Sequence, residues 1–181
     1  ISKEVLEFVI ENYTKEPGVR ELKRLLEKLI RKVIVNEPNA KSITILHVNK
    51  YLDNRNINYL PEITTSGIAN ILAYTTIGGR LSHIEVVKYK GIGKVTITGC
   101  AGEILKDSIN VVISYLANNY NIDLKNQDLH FHFLESYVKK DGPSAGVSIA
   151  VALMSLIKNK KISSQIAFTG ELSLKGDILP V

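Results

Sequence analysis

Apolar residues recur three and four apart through residues 2–14, with Val5, Leu6, Val9, Ile10 and Tyr13 on one side, which predicts a helix. Glu16-Pro17-Gly18 interrupts the pattern, and Pro17 suits the entry to a following helix. That second helix carries Val19, Leu22, Leu26, Leu29, Ile30 and Val33 on one face and ends at Glu37-Pro38-Asn39. Residues 42–46 read as a short strand and 48–52 as a short helical turn. Residues 53–66 hold Asn54, Asn56, Asn58, Pro61, Thr64, Thr65 and Ser66 with few large apolar side chains, the composition of a linker. The helical segment before it is small for an independent core and is expected to dock on structure upstream.

Beyond residue 66 the period changes. Residues 68–77, 81–89 and 94–98 read as strands, with turns at Gly79-Arg80 and Gly91-Ile92-Gly93. Residues 103–120 form a helix whose apolar side is Ile104, Ile109, Val112, Ile113 and Leu116. A strand at 129–134, a buried helix at 143–158, a strand at 165–168 and a strand or hairpin at 172–179 complete the pattern. Helices and strands in this order predict an α+β layered domain behind a small helical one.

Composition narrows the setting. The 181 residues allow one large domain or a domain with a piece of another. The chain opens on Ile1, so it is expected to be a piece of a longer protein, and Ile1-Ser2-Lys3-Glu4 is not a signal peptide. No apolar run reaches the roughly 18 residues that a membrane span requires. Cys100 is the single cysteine, which excludes an internal disulfide and any multi-cysteine zinc site. The net charge of +5 leaves nucleic acid open without indicating it, because the basic residues alternate with Glu. The densest run, residues 20–32, reads as the solvated face of an amphipathic helix.

The chemistry concentrates in Lys140-Asp141-Gly142-Pro143-Ser144-Ala145-Gly146. Ser144 falls where the 143–158 helix begins. Backbone N–H groups there are unpaired and carry partial positive charge. A serine oxygen attacking a carbonyl at that point would have donors ready for the oxyanion, which suggests acyl transfer. A plain loop with a serine cap is the simpler reading of the same residues.

With its companions the run resembles the Lon family of ATP-dependent serine proteases. Lys139-Lys140-Asp141-Gly142-Pro143-Ser144-Ala145-Gly146 is similar to the family's nucleophile motif, and the Lys before the Asp is like the bacterial and mitochondrial branch. The run Thr169-Gly170-Glu171-Leu172-Ser173-Leu174-Lys175-Gly176-Asp177-Ile178-Leu179-Pro180 resembles the second signature. Tyr13-Thr14-Lys15-Glu16-Pro17-Gly18-Val19-Arg20 resembles the end of the ATPase module. Gly99-Cys100-Ala101-Gly102-Glu103 with Lys106-Asp107-Ser108 falls in the same register.

The resemblance implies a small helical AAA+ lid fragment at 1–52, a linker at 53–66 and, at 67–181, an α/β Lon protease domain of the ribosomal protein S5 domain 2-like kind. It implies an ATP-dependent serine endopeptidase acting on misfolded or regulatory proteins through a Ser–Lys dyad. Ser144 would be the nucleophile. Thr169 would orient the dyad lysine, and Asp141 would orient or block the nucleophile loop. The dyad lysine is expected beyond Val181, absent from this chain, which leaves residues 1–181 inactive alone. Arg20 corresponds to a sensor-type arginine for ATP with Mg in the parent protein, and no cofactor is expected on this chain by itself. The implied partners are unfolded protein substrates and copies of the same chain in a ring, hexameric by resemblance, with no membrane. The implied location is the cytoplasm in a bacterium or the mitochondrial matrix in a eukaryote.

Other patterns carry less. Ser155-Leu156-Ile157-Lys158 and Ser136-Tyr137-Val138-Lys139 fit Ser-x-x-Lys, but neither is expected to be catalytic, and Lys175 is expected to face solvent. His130 and His132 share a strand face; a structural or substrate-groove role is expected and no metal, since no third ligand is evident. Gly91-Ile92-Gly93-Lys94 lacks the first glycine of a phosphate loop and reads as a turn. Two rival functions fit the Ser144 region: a phosphate-binding domain like a small-molecule kinase, and a noncatalytic interaction domain. Asp141 speaks against the first, since a carboxylate repels phosphate.

Overall fold

Ser2 begins the ordered structure by capping a helix: its Oγ accepts from Val5 N, and α1 runs Lys3–Tyr13. The structure, a computed structural model, describes residues 1–14, 16–53, 60–75, 78–120, 126–134 and 140–181. These fall into two compact units, Ile1–Tyr59 with Thr76–Gly78, and Leu60–Thr75 with Gly79–Val181.

In the first unit, α2 is Arg20–Asn36. Its cap residue, Val19, offers no side-chain oxygen. Glu16 does that work instead, with Oε1 accepting from Glu21 N at 2.6 Å and Leu22 N at 3.1 Å. A carboxylate at this end also complements the helix dipole. The third helix, α3, spans Ile45–Tyr51. This overturns the strand expected at 42–46. Thr44 and His47 form a capping box, Thr44 N donating to His47 Nδ1 at 3.0 Å, and that local device starts a helix where the apolar pattern reads as extended. Val5, Val9 and Tyr13 from α1 meet Leu29 and Val33 from α2 and Val48, Tyr51 and Leu52 around α3. Glu37 draws the same region together, accepting from Lys50 Nζ at 2.7 Å, Tyr51 OH at 2.7 Å and His47 Nε2 at 3.1 Å. These bonds, led by the one from Lys50, hold its carboxyl at about 2.

The second unit is a helix layer on a five-stranded sheet. Its strands are β1 Ile68–Thr75, β2 Gly78–Lys90 (in this unit from Gly79 on), β3 Val95–Thr98, β4 Gln127–Phe133 and β5 Ala167–Phe168, ordered β3-β4-β2-β1-β5. β2 runs antiparallel to β4, while β3–β4 and β1–β5 are parallel. The register places Ile84 opposite Phe133 and Val86 opposite Phe131, so these side chains share the face that α4, Glu103–Tyr120, and α5, Gly146–Lys158, cover. Leu105, Ile109, Val112 and Leu116 of α4 and Ile149, Ala152 and Leu153 of α5 complete the core. The opposite face carries Glu85, Val87, His130 and His132. A separate hairpin pairs β6 Glu171–Leu172 with β7 Ile178–Leu179.

Two further expectations shift. Gly79-Arg80 lies inside β2 and is not a turn. Residues 60–66, expected as linker, join the second unit: Ile63 is buried and its N–H donates to Ser164 Oγ at 2.9 Å.

Candidate active site

Ser144 sits in a single 3-10 turn, Pro143–Ala145, that leads into α5. The helix expected from Pro143 therefore begins at Gly146. The turn is fixed from the side by the segment before β6. Gly170 N donates to Ser144 O at 2.8 Å, Val147 N donates to Gly170 O at 3.0 Å, and Thr169 Oγ1 reaches Ser144 O at 3.4 Å. Ser144 and Thr169, 25 residues apart, are thus neighbours. This contact requires a bare Cα at Gly146, where a Cβ would lie 2.8 Å from Leu172 N. Gly146 N is used by Pro143 O and Val147 N by Gly170 O, so the donors left to an oxyanion lie at Ser144 and Ala145. Ser144 is half-buried, and among the described residues its hydroxyl has no hydrogen-bond partner.

Asp141 holds the other side of the loop. Its Oδ1 accepts from Leu105 N at 3.2 Å and from Gly142 N at 3.0 Å. It therefore caps α4 rather than the helix that follows it in sequence. The seat is Gly102, where any Cβ would overlap the Asp141 carboxylate. Backbone bonds reinforce the junction: Gly102 N donates to Lys140 O at 2.7 Å and Lys140 N to Cys100 O at 3.1 Å.

Ser144, Asp141 and Lys140 line one cavity of about 200 Å³ together with Ile71, Leu72, Ala73, Tyr74, Leu105 and Ala145. That is smaller than the roughly 300–1,000 Å³ of pockets for drug-sized ligands and suits one side chain. The apolar wall from the end of β1 and the buried Lys140 were not foreseen from the chain. Lys140 is 9% exposed and has an interaction partner of its own. Its adjacency to Asp141 was the available signal; nothing local marks Ile71 or Leu72 as neighbours of Ser144.

The remaining candidates separate from this site. Ser155 is buried, donates to Lys160 O and accepts from Gly67 N at 3.0 Å, so its hydroxyl serves as a structural link. The other Ser-x-x-Lys pair and Lys139 of the nucleophile motif lie outside the described residues. Lys175 is exposed. Asp128 Oδ1 accepts from Ile92 N and Lys94 N, each at 2.8 Å, and so occupies donors that a phosphate loop would offer. Those bonds hold the Asp128 carboxyl below its ordinary value. Arg20 lies in the first unit as the first residue of α2, exposed. Among the described residues no group of three or more His, Cys, Asp or Glu side chains is placed to hold a metal, and no helix is long and apolar enough to cross a membrane.

Comparison with known proteins gives two family matches. Residues 29–181 match the Lon protease (S16) C-terminal proteolytic domain, and residues 1–43 match the Lon protease AAA+ ATPase lid domain. The chain is 39% identical to a Lon protease of Aster yellows witches'-broom phytoplasma, with all of this chain and 24% of that protein aligned. It is 38% identical to one from Malacoplasma penetrans, over 96% of this chain and 24% of the relative, and 40% identical to one from Aquifex aeolicus, over 96% and 23%. The chain thus spans about a quarter of the length of these relatives. The family matches cover both units, and the nucleophile loop stands within the proteolytic match, so the chain belongs to the Lon protease family.

Proposed function

We propose that this chain is part of an ATP-dependent serine endopeptidase in which Ser144 forms the acyl-enzyme. One observation carries the reading: a half-buried serine hydroxyl without a partner among the described residues lines a one-side-chain cavity at a helix entrance, its backbone pinned by Gly170 and Thr169. A free hydroxyl on a fixed backbone is the state a nucleophile needs before its base removes the proton. The oxyanion is received by N–H groups around Ser144 and Ala145. Ile71, Leu72, Leu105 and Ala145 favour an apolar side chain on the acyl side of the scissile bond.

The base is a lysine that the resemblance places after Val181, with Thr169 as its hydroxyl partner. Such a lysine works at neutral pH only when desolvation lowers its pKa. Lys140 is the rival, because it lines the same cavity, but it already has another partner. ATP with Mg supplies the energy for unfolding substrates. Arg20, exposed at the start of α2, is free to reach a nucleotide phosphate but builds no nucleotide site alone. Unfolded proteins are the substrates, and copies of the chain assemble in a ring.

The test is ATP-dependent hydrolysis of an unfolded protein by the full-length protein to which this chain belongs, ATPase module included. Ser144→Ala is expected to abolish cleavage while leaving ATP hydrolysis in place, and Lys140→Met is expected to retain cleavage. Loss of cleavage in Lys140→Met with Ser144 still correctly placed would move the base to Lys140.

A further inference from the structure

A serine inside a helix can turn its hydroxyl back onto the carbonyl one turn earlier. Ser108 and Ser114 of α4 do so, donating to Ile104 O at 3.0 Å and to Asn110 O at 2.8 Å. Ser148, in the first turn of α5, does not. The carbonyl one turn before it is that of Ser144, and Ser148 Oγ instead donates outward to Phe168 O at 2.7 Å. The Ser144 carbonyl is thereby left to Gly170 N and Thr169 Oγ1. Ser148 is fully buried, and no catalytic step described above uses it. Phe168 is the last residue of β5 and stands immediately before Thr169. β5 is two residues long and Thr169 is exposed, so strand pairing and packing by themselves hold this segment weakly.

We propose that Ser148 is a positioning residue for acyl transfer on Ser144: its hydroxyl fixes the Phe168 carbonyl and so sets Thr169 where it meets the Ser144 backbone and the dyad base. The inference rests on the reading of Ser144 as the nucleophile. Three bonds lace the entrance of α5 to residues 168–170: Ser148 Oγ to Phe168 O, Gly170 N to Ser144 O and Val147 N to Gly170 O. Two of them join backbone groups, and the third depends on the Ser148 side chain. The contact they hold in place, Thr169 Oγ1 to Ser144 O, is 3.4 Å long, more than an ordinary O–H···O bond. A small shift of the segment therefore breaks it. Ser148→Ala deletes the tether on the N-terminal side of Thr169, while alanine, the best helix former, keeps the start of α5. Thr169 then drifts from the Ser144 carbonyl and from the base, and a misplacement of about 1 Å in a catalytic constellation costs up to about a hundredfold in rate.

The experiment measures, across a pH series, the second-order rate at which a fluorophosphonate labels Ser144 in the full-length protein to which this chain belongs. Ser144 Oγ bonds to phosphorus, fluoride leaves and the base takes the hydroxyl proton, so the rate reports activation of the serine without turnover of ATP or substrate. Ser148→Ala is expected to label at least about tenfold more slowly and to move the acidic limb of the profile to lower pH, the direction expected when Thr169 no longer accepts from the lysine ammonium. Because the two residues act as one unit, Ser148→Ala in a Thr169→Val background is expected to slow labelling no further. Near-ultraviolet circular dichroism checks that each variant keeps its fold. Labelling of Ser148→Ala at the parent rate overturns the proposal. So does a uniform slowing with an unmoved profile, or a double variant slowed by the product of the two single effects. Labelling that persists in Ser144→Ala overturns the reading of Ser144 and this inference with it, whereas labelling lost in Ser144→Ala and parent-like in Ser148→Ala overturns this inference alone.

Discussion

The carboxylate of Asp141 accepts the backbone N–H of Leu105 at 3.2 Å, so the loop carrying Ser144 is tied to the first turn of α4. The partner is 36 residues away, and the room for the bond comes from Gly102. Asp141→Ala removes the cap, and loss of a helix cap costs about 1 kcal/mol. Gly102→Ala forces the carboxylate away and should cost at least as much. Urea denaturation of each variant measures this, and unchanged midpoints for both would show that the junction contributes nothing.

Gly146→Val tests the opposite wall. A Cβ there would meet Leu172 N at 2.8 Å and Gly170 O at 3.3 Å, both backbone atoms. Neither can swing aside as a side-chain end would, so the segment before β6 must move away from Ser144. Overpacking of this kind costs about 1–3 kcal/mol, which lowers the melting temperature by several degrees in a unit of this size. Thermal unfolding followed by circular dichroism reads it directly.

Glu37 predicts an acid sensitivity in the first unit. Its carboxyl is lowered from 4.5 to about 2 by Lys50, Tyr51 and His47. A group ionised more readily in the folded state stabilises that state above its unfolded value and loses the effect as pH falls through its folded value. The contribution is therefore full above pH 4.5 and disappears towards pH 2. Glu37→Gln should melt lower than the parent at pH 7 and show a flatter pH dependence below 4.5. Parallel curves for the two proteins across that range would contradict it.

Thr169 offers a kinetic test of its place beside the base. A hydroxyl that accepts from an ammonium favours the charged form. Thr169→Val in the chain continued past Val181 should lower the pKa of the catalytic lysine, moving the acidic limb of kcat/KM to lower pH. A uniform fall in rate with an unmoved profile would leave Thr169 a structural residue that holds the Ser144 carbonyl.

The elements were legible wherever one periodicity ran long enough. α1, α2 and α4 stand within a residue or two of their apolar patterns, and the 172–179 hairpin follows its turn residues. α3 was misread because a seven-residue helix holds too few apolar positions to outvote Ile43 and Ile45, while its capping box depends on His47 acting as the acceptor. The site was half legible. Ser144 announces itself by its small neighbours. That Thr169 touches its carbonyl, that Asp141 caps α4, and that β1 supplies the cavity wall are contacts between residues far apart in the chain. The resemblance placed Thr169 beside the dyad lysine but not on the Ser144 carbonyl, and no local pattern encodes any of the three.

The central claim is that Ser144 is the nucleophile. The most direct measurement is reaction of the chain continued past Val181 with a serine-directed fluorophosphonate, followed by tryptic digestion and mass spectrometry. The account predicts one adduct, within the peptide 141–158 and on Ser144, absent from Ser144→Ala. An adduct on Ser148 or Ser155 of the same peptide, or labelling that persists in Ser144→Ala, would contradict it.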